Sequence, residues 1–515
     1  MSTLEQTPAE NGRLTRVLLK VERAGNALPQ PALMFLFLAF VVVLVSAMLS
    51  TLGIEATNPA TKAIVKPVNL LSINGLHIVL TDMIKNFTSF APLGTVLVAM
   101  LGFSLAEKSG LLSSLLRLVV TKSPRALLVP AILLAGILSH TAGDVGYVLL
   151  IPLSAMIFHS VGMHPLAGLA ICFAGVSGGF AANFIISAID PLLSGLSQEA
   201  ARVMDPQYVV TPVVNWYFMS ASSLLIIVVG TVVGKKITIP YLGEFKGDAQ
   251  AATSTELTEN ERRGLIWAGV VFALLTTLLL WGTVPAQGFL RNPENGSVLD
   301  SPFLKGIIAI IFIFGTLTGL AYGFAAKTFK KQSDITEALQ DSMATMAPYL
   351  VMVFFAAQFI ALFAASNVGL ILAINGSDFL KSLGLSAIPL MIGFILLICV
   401  LDIFIGSASA KWALTAPVFV PMFMLLGLSP ELTQASYRVA DSVVNIISPL
   451  MPYFPLILAF ANKYEPKARV GTLIALMLPY SIAFLITWSI LLFIWIGFEL
   501  PLGPGANLRY ILPGN

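Results

Sequence analysis

Four charged residues, Asp402, Lys411, Arg438 and Asp441, stand in a stretch, 402–455, that is otherwise apolar enough to lie in a membrane. A charge at bilayer depth costs on the order of 2.5–3.5 kcal/mol on insertion scales, and is normally paired or turned toward a watery cavity. Gln434, Arg438, Asp441, Asn445 and Ser448 recur at three- and four-residue steps. On a helix they share one polar face, with Val439, Val443 and Ile447 on another. Upstream, the small residues from Gly406 to Ala410 suit non-helical backbone, which is tolerated at that depth only where protein or a water-filled cavity satisfies it. A second stripe, Asn183, Ser187 and Asp190, ends directly before Pro191. These types suit the binding of a solute and a cation. Asp402 and Asp144 flank two small-residue tips, and a carboxylate beside unwound carbonyls offers the hard oxygen ligands that Na+ prefers.

Each residue also has a plainer reading. Arg438 and Asp441 are three apart and can neutralise one another as a structural pair. Asp190 suits a helix end at an interface. Trp412 and Tyr147 can stack on an aromatic solute or merely pack. Lys411 can attract an anion or snorkel to the interface. His140, His159 and His164 have the wrong spacing for a metal site, and His140 is read as a contact at a hairpin tip.

What positions these residues follows from composition. With 57% hydrophobic and 11% charged residues, the chain is a polytopic all-α membrane protein rather than a soluble domain. A net charge of +3 is too small to suggest nucleic acid. Cys172 and Cys399 both lie in apolar runs, which excludes a disulfide framework or a zinc site. A crossing needs roughly 20 apolar residues. Runs of that length fall at 31–53, 88–107, 166–188, 213–234, 263–282, 304–326, 347–365, 432–460 and 471–497, giving nine expected transmembrane helices. Two interrupted pairs, 111–161 and 370–427, read as re-entrant hairpins. The organisation is then a polar segment 1–30, a first membrane half 31–235, a linker 236–262 and a second half 263–515. The first apolar run is too long for a signal-peptide core and reads as a retained span. Basic residues such as Arg13, Arg16, Lys235, Lys236, Lys330, Lys331 and Lys467 gather on one side of this topology, which puts the N-terminus in the cytoplasm and the C-terminus outside.

The two halves also repeat. Pro130 and Pro389, and Gly110-Leu111 and Gly369-Leu370, are 259 apart, whereas Pro152 and Pro417, Gly162 and Gly427, and Pro165 and Pro430 are 265 apart. An odd number of crossings separates the copies, so they are inverted. Inverted repeats with interrupted segments at corresponding positions mark the midplane site of secondary transporters that work by alternating access. An ion channel also uses re-entrant loops, but charged pairs in place of carbonyl rings favour a carrier. An intramembrane aspartyl protease would need a GxGD signature, and Thr141-Ala142-Gly143-Asp144 has Thr in the first position.

Several long segments, in order along the chain, carry a resemblance: VERAGNALPQP, NFTSFAPLGTVLVAMLGFSLAEKSGLL, FIISAIDPLLSG, NWYFMSASS, APVFVPMFMLLGLSP, RVADS and PLGPG. Over nearly its whole length the chain resembles the aminobenzoyl-glutamate transporter (AbgT) family. The resemblance implies a homodimer in the bacterial inner membrane, with nine spans and two hairpins per subunit. It implies uptake of p-aminobenzoyl-glutamate, or export of sulfonamides and related antimetabolites resembling p-aminobenzoate, coupled to H+ or Na+. By the same resemblance the functional residues are Asp190, Asp441, Trp412, Arg438 and Pro449, and the ion site is the turn from Asp402 through Gly406 and Ser407 together with Asp441. Arg438, Trp412 and Asn183 or Asn445 would supply the cation, stacking face and amide donors that an aromatic amide bearing carboxylates needs. Asp402 stands where an amide or a small residue is expected, and Lys411 is a charge that the family pattern does not require.

Overall fold

A computed structural model describes residues 30–57, 62–121, 124–142, 146–245, 257–298 and 301–511. The readings made on residues 1–29, on 246–256 of the linker and on Asp144 lie outside the described residues. Backbone in lipid must satisfy its own hydrogen bonds, so apolar runs become helices. Among the described residues the only strands are Ala56–Thr57 and Ile64–Val65, an antiparallel pair.

The repeat holds element for element. The first copy runs Ala91–Lys108, Leu111–Thr121, hairpin arms Arg125–Leu138 and Gly146–Ser160, then an interrupted helix in two pieces, Pro165–Gly178 and Ile189–Ala201, and finally Trp216–Leu242. The second runs Ala347–Ala365, Val368–Ser382, arms Ala387–Phe404 and Ala408–Met424, pieces Pro430–Asn445 and Phe454–Asn462, and Val470–Gly497. Gly162 and Gly427, each between a hairpin and the interrupted helix, both have φ of 79°, a left-handed conformation that glycine adopts without steric penalty. Pro165 and Pro430 then open the next helix at its first position, where a missing N–H costs nothing. Each copy contributes three crossings, and Glu259–Thr283 and Ile307–Ala325 lie between them. The second copy therefore enters from the opposite face.

Among the described residues, eight helices are long and apolar enough to cross a bilayer: seven of the nine expected, plus the hairpin arm Ala387–Phe404. The other two expected crossings, 166–188 and 432–460, are the interrupted helices, non-helical over 179–188 and for most of 446–453. Gly178-Gly179 in the first and Pro449 with Pro452 in the second cannot sustain the helical ladder. The hairpins are shorter than expected, because Leu111–Thr121 and Val368–Ser382 are separate helices that precede them. Ile73–Thr88 and Gln332–Thr345 are further helices without a counterpart among the expected spans.

Two layers of packing position the site. In one, Pro31–Thr51 packs on Ala347–Ala365, and Ala91–Lys108 on Ile307–Ala325, which in turn packs on Glu259–Thr283. Small residues allow this close contact: a Cβ added at Gly319 would lie 2.5 Å from the Ala106 amide nitrogen. In the other, the hairpins grip the interrupted helices, Ala387–Phe404 against Pro430–Asn445 and Ala408–Met424 against Ile189–Ala201. Every residue of Pro430–Asn445 is buried. The most polar piece at bilayer depth is thus wrapped by protein on all sides, which is the condition under which its charges are tolerated.

Candidate functional site

The Asn183–Ser187–Asp190 stripe closes on itself at the first break. One oxygen of Asp190, Oδ2, accepts from Asn183 Nδ2 at 2.6 Å, the Ser187 amide at 2.7 Å and Ser187 Oγ at 3.0 Å. The other, Oδ1, lies 2.7 Å from an Arg438 guanidinium nitrogen. Arg438 comes from the second copy and also donates to the Ala181 carbonyl at 3.4 Å, while Ser442 Oγ accepts from the Ala181 amide at 3.0 Å. The open backbone of the first break is therefore satisfied by the buried helix of the second copy.

Asp441, one turn further along that helix, points elsewhere. Arg438 and Asp441 do not neutralise one another, the plainer of the two sequence readings, because each has a partner from another element. Lys411 Nζ lies 2.8 Å from Asp441 Oδ1 and also pairs with Asp402 Oδ1, and all three side chains are almost completely buried. Tyr437 donates to the Ala408 carbonyl at 2.5 Å and lies 3.1 Å from Asp441 Oδ1, while Asn445 Nδ2 donates to Asp441 Oδ2 at 3.4 Å. Tyr437 is four residues before Asp441 and so on the same helical face, a spacing legible in the sequence.

Trp412 is fully buried and away from any open space. Its indole N–H reaches Leu193 O at 3.2 Å and Ser197 Oγ at 3.1 Å, Ser197 donates to Gln434 Oε1, and the ring lies 4.6 Å from that of Tyr437. Trp412 thus ties the second hairpin to the first interrupted helix. Pro449 sits half-buried in the second break.

Above these pairs lies a cavity of about 410 Å³, within the roughly 300–1,000 Å³ of small-molecule sites. Ser187, Gly406, Ser407, Ser409 and Asn445 supply its polar points, and Tyr147 and Tyr453, stacked at 4.3 Å and 9°, an aromatic wall. His140, read from the sequence as a hairpin-tip contact, also lines it. Val96, Met100, Met346 and Tyr349 close it from the other packing layer, and no periodicity marks them because they are ordinary apolar residues in, or for Met346 just before, expected spans. A larger cleft of about 610 Å³, lined by Lys381, Gly427, Glu499 and Arg509 among others, touches neither break and none of the candidate residues.

Asp402, Gly406, Ser407 and Asp441 do not form an open oxygen cage. The ammonium of Lys411 stands between the two carboxylates, and Ser407 Oγ caps the next arm, accepting from the Ala410 amide at 3.4 Å. No cluster of three or more His, Cys, Asp or Glu suited to a metal occurs among the described residues.

A sequence profile described as the AbgT putative transporter family matches residues 16–510. The p-aminobenzoyl-glutamate transport protein of Escherichia coli (strain K12) is 43% identical over 489 residues, covering 95% of this chain and 96% of that protein. Two solved structures superpose closely. The Alcanivorax borkumensis YdaH transporter is 44% identical with a TM-score of 0.89, covering 92% of this chain and all of that one. Neisseria gonorrhoeae MtrF, described with a class of antimetabolite efflux pumps, is 50% identical with a TM-score of 0.90, covering 95% of this chain and all of that one.

Proposed function

The chain belongs to the AbgT family of transporters, and from that premise we propose that it is a secondary transporter of p-aminobenzoyl-glutamate or of aromatic antimetabolites such as sulfonamides and p-aminobenzoate. The observation that carries this reading is the cavity where both breaks and both hairpins meet. Its tyrosine wall suits an aryl ring, and Ser187, Ser407, Ser409 and Asn445 suit an amide or sulfonamide and its carboxylates. Arg438 lies under the first break, paired with Asp190. Exchange of that partner for a substrate carboxylate is one way for binding to loosen the core.

The cycle is alternating access driven by an H+ or Na+ gradient, with uptake and export as the two directions of one equilibrium. The carboxylates are tied to cations rather than to each other, which supports a carrier over an aspartyl dyad. Two subunits associate in the bacterial inner membrane, with the N-terminus cytoplasmic and the C-terminus periplasmic. Support comes from the basic bias of the loops and from the broad apolar faces of Pro31–Thr51 and Glu259–Thr283, where Phe37, Phe40, Ile266 and Trp281 are all more than half exposed.

The test is flux in proteoliposomes with labelled p-aminobenzoyl-glutamate and with a sulfonamide, under imposed H+ and Na+ gradients of either sign. Saturable, gradient-driven movement of the organic solute is expected, and Asp441→Asn should abolish the driven component while leaving the protein folded. Ion conductance that does not saturate in the organic solute would replace the carrier with a channel.

A further inference from the structure

We propose that Lys411 is a tethered cation that takes the place of a transported Na+ between Asp402 and Asp441, so that this chain does not bind Na+ at that pair. The inference rests on the carrier reading and specifies which cation its core holds. Lys411 is fully buried on the first turn of the arm that starts at the second hairpin tip, where its amide donates to Ser407 O at 3.0 Å. From there its ammonium reaches both carboxylates, one of them at 2.8 Å.

Of the oxygens an alkali ion at this point would need, only Asp402 Oδ2 is without a hydrogen bond or ion pair, too few for a cation that the protein must strip of water. Ala408 O accepts from Tyr437, Asp402 O from Ser448 Oγ at 3.4 Å, and Asp441 from Tyr437 and Asn445. It would also lie against the like charge of the ammonium in a region that water does not screen. Arg438 is committed to Asp190, so Lys411 is the cation left for this pair. Being covalently held, it cannot leave during the cycle, whereas a Na+ would.

Removing Lys411 should open the site. In Lys411→Gln the two carboxylates keep their positions without a counter-charge, and Na+ can enter between them. The experiment uses the full-length protein in detergent, comparing thermal unfolding in NaCl and choline chloride at equal ionic strength, with 22Na+ binding measured in parallel. Wild type is expected to show no Na+-dependent rise in unfolding temperature, and no saturable 22Na+, that Asp441→Asn removes. Lys411→Gln is expected to be less stable in choline and to recover saturably with Na+.

Because the single variant leaves two unpaired carboxylates, Asp402→Asn/Lys411→Gln provides a version with less charge to bury, in which Na+ stabilises through Asp441 alone. Saturable Na+ binding by wild type that Asp441→Asn removes would overturn the proposal. So would a folded variant lacking Lys411 that shows no response to Na+. The readout is ion binding, so a failure of the transport assay with organic solutes remains separately visible.

Discussion

At the scale of single residues, buried ion pairs decide what this chain tolerates. Asp190 and Arg438 are nearly inaccessible and come from opposite copies of the repeat. Removing one partner of such a pair leaves an uncompensated charge and costs about 3–5 kcal/mol, whereas removing both is far less costly. Asp190→Asn should therefore unfold at clearly lower temperature, and Asp190→Asn/Arg438→Gln should regain most of that loss while gradient-driven flux stays absent in both. Full transport by the double variant would reduce the pair to a structural tie. The sequence shows Asn183, Ser187 and Asp190 as one stripe because their spacing is local, and the structure closes them into one hydrogen-bonded cluster. It does not show that Arg438 turns to Asp190 and Asp441 to Lys411, since two side chains three residues apart on one helix can each be claimed by a different neighbour. Trp412 is similar. Its type suggests a stacking face, but its burial against Ser197 and Tyr437 is set by contacts more than 20 residues away in sequence.

At the scale of elements, the interruptions do the positioning. The tip of the second hairpin crosses the second break so closely that a Cβ on Gly406 would fall 2.5 Å from the Leu450 carbonyl oxygen. That contact is backbone to backbone and has no flexible end to yield. Gly406→Ala should cost about 1–3 kcal/mol, the range for overpacking, and lower flux at least tenfold by moving the Ser407–Ser409 edge of the cavity. Gly471→Ala, where an added Cβ meets nothing within 4 Å, is the matched control and should leave both unfolding temperature and flux essentially unchanged. The order of elements is legible because proline and glycine punctuate it in both copies, with Gly162 and Gly427 adopting the same φ. The breaks themselves are not, because Pro165–Gly178 continues into apolar residues 179–188 and the pair reads as one crossing. Satisfaction of the Ala181 backbone groups by Arg438 and Ser442, and of Phe184 O by the Trp216 indole N–H, lets a non-helical stretch stand there, and that is a tertiary fact.

At the scale of the whole molecule, the cavity is bounded by two packing layers that need not move together. Ser407, Ser409 and Asn445 belong to the hairpin-and-break layer, while Met100, Met346 and Tyr349 belong to the other, where Tyr349 is anchored by a 3.0 Å bond from its hydroxyl to Pro92 O. A carrier has to open such a cavity to each side in turn, and the buried pairs Asp190–Arg438 and Asp402–Lys411–Asp441 all join elements within the first layer, whereas the two layers meet by packing where Ala91–Lys108 lies against Ile189–Ala201 and a Cβ on Gly195 would fall 2.7 Å from Pro92. Relative sliding of the layers would therefore keep these two buried ion-pair sets intact throughout the cycle, whereas separating the hairpins from the interrupted helices would break them. In a background with Cys172 and Cys399 replaced by alanine, Ser409→Cys and Met346→Cys place one thiol on each wall of the cavity. A short thiol-specific bridge cleavable by reductant should stop flux when both are present, and reduction should restore the rate of the untreated double variant. Undiminished flux with the bridge fully formed would mean that the two layers travel as one body and that access alternates by some other motion.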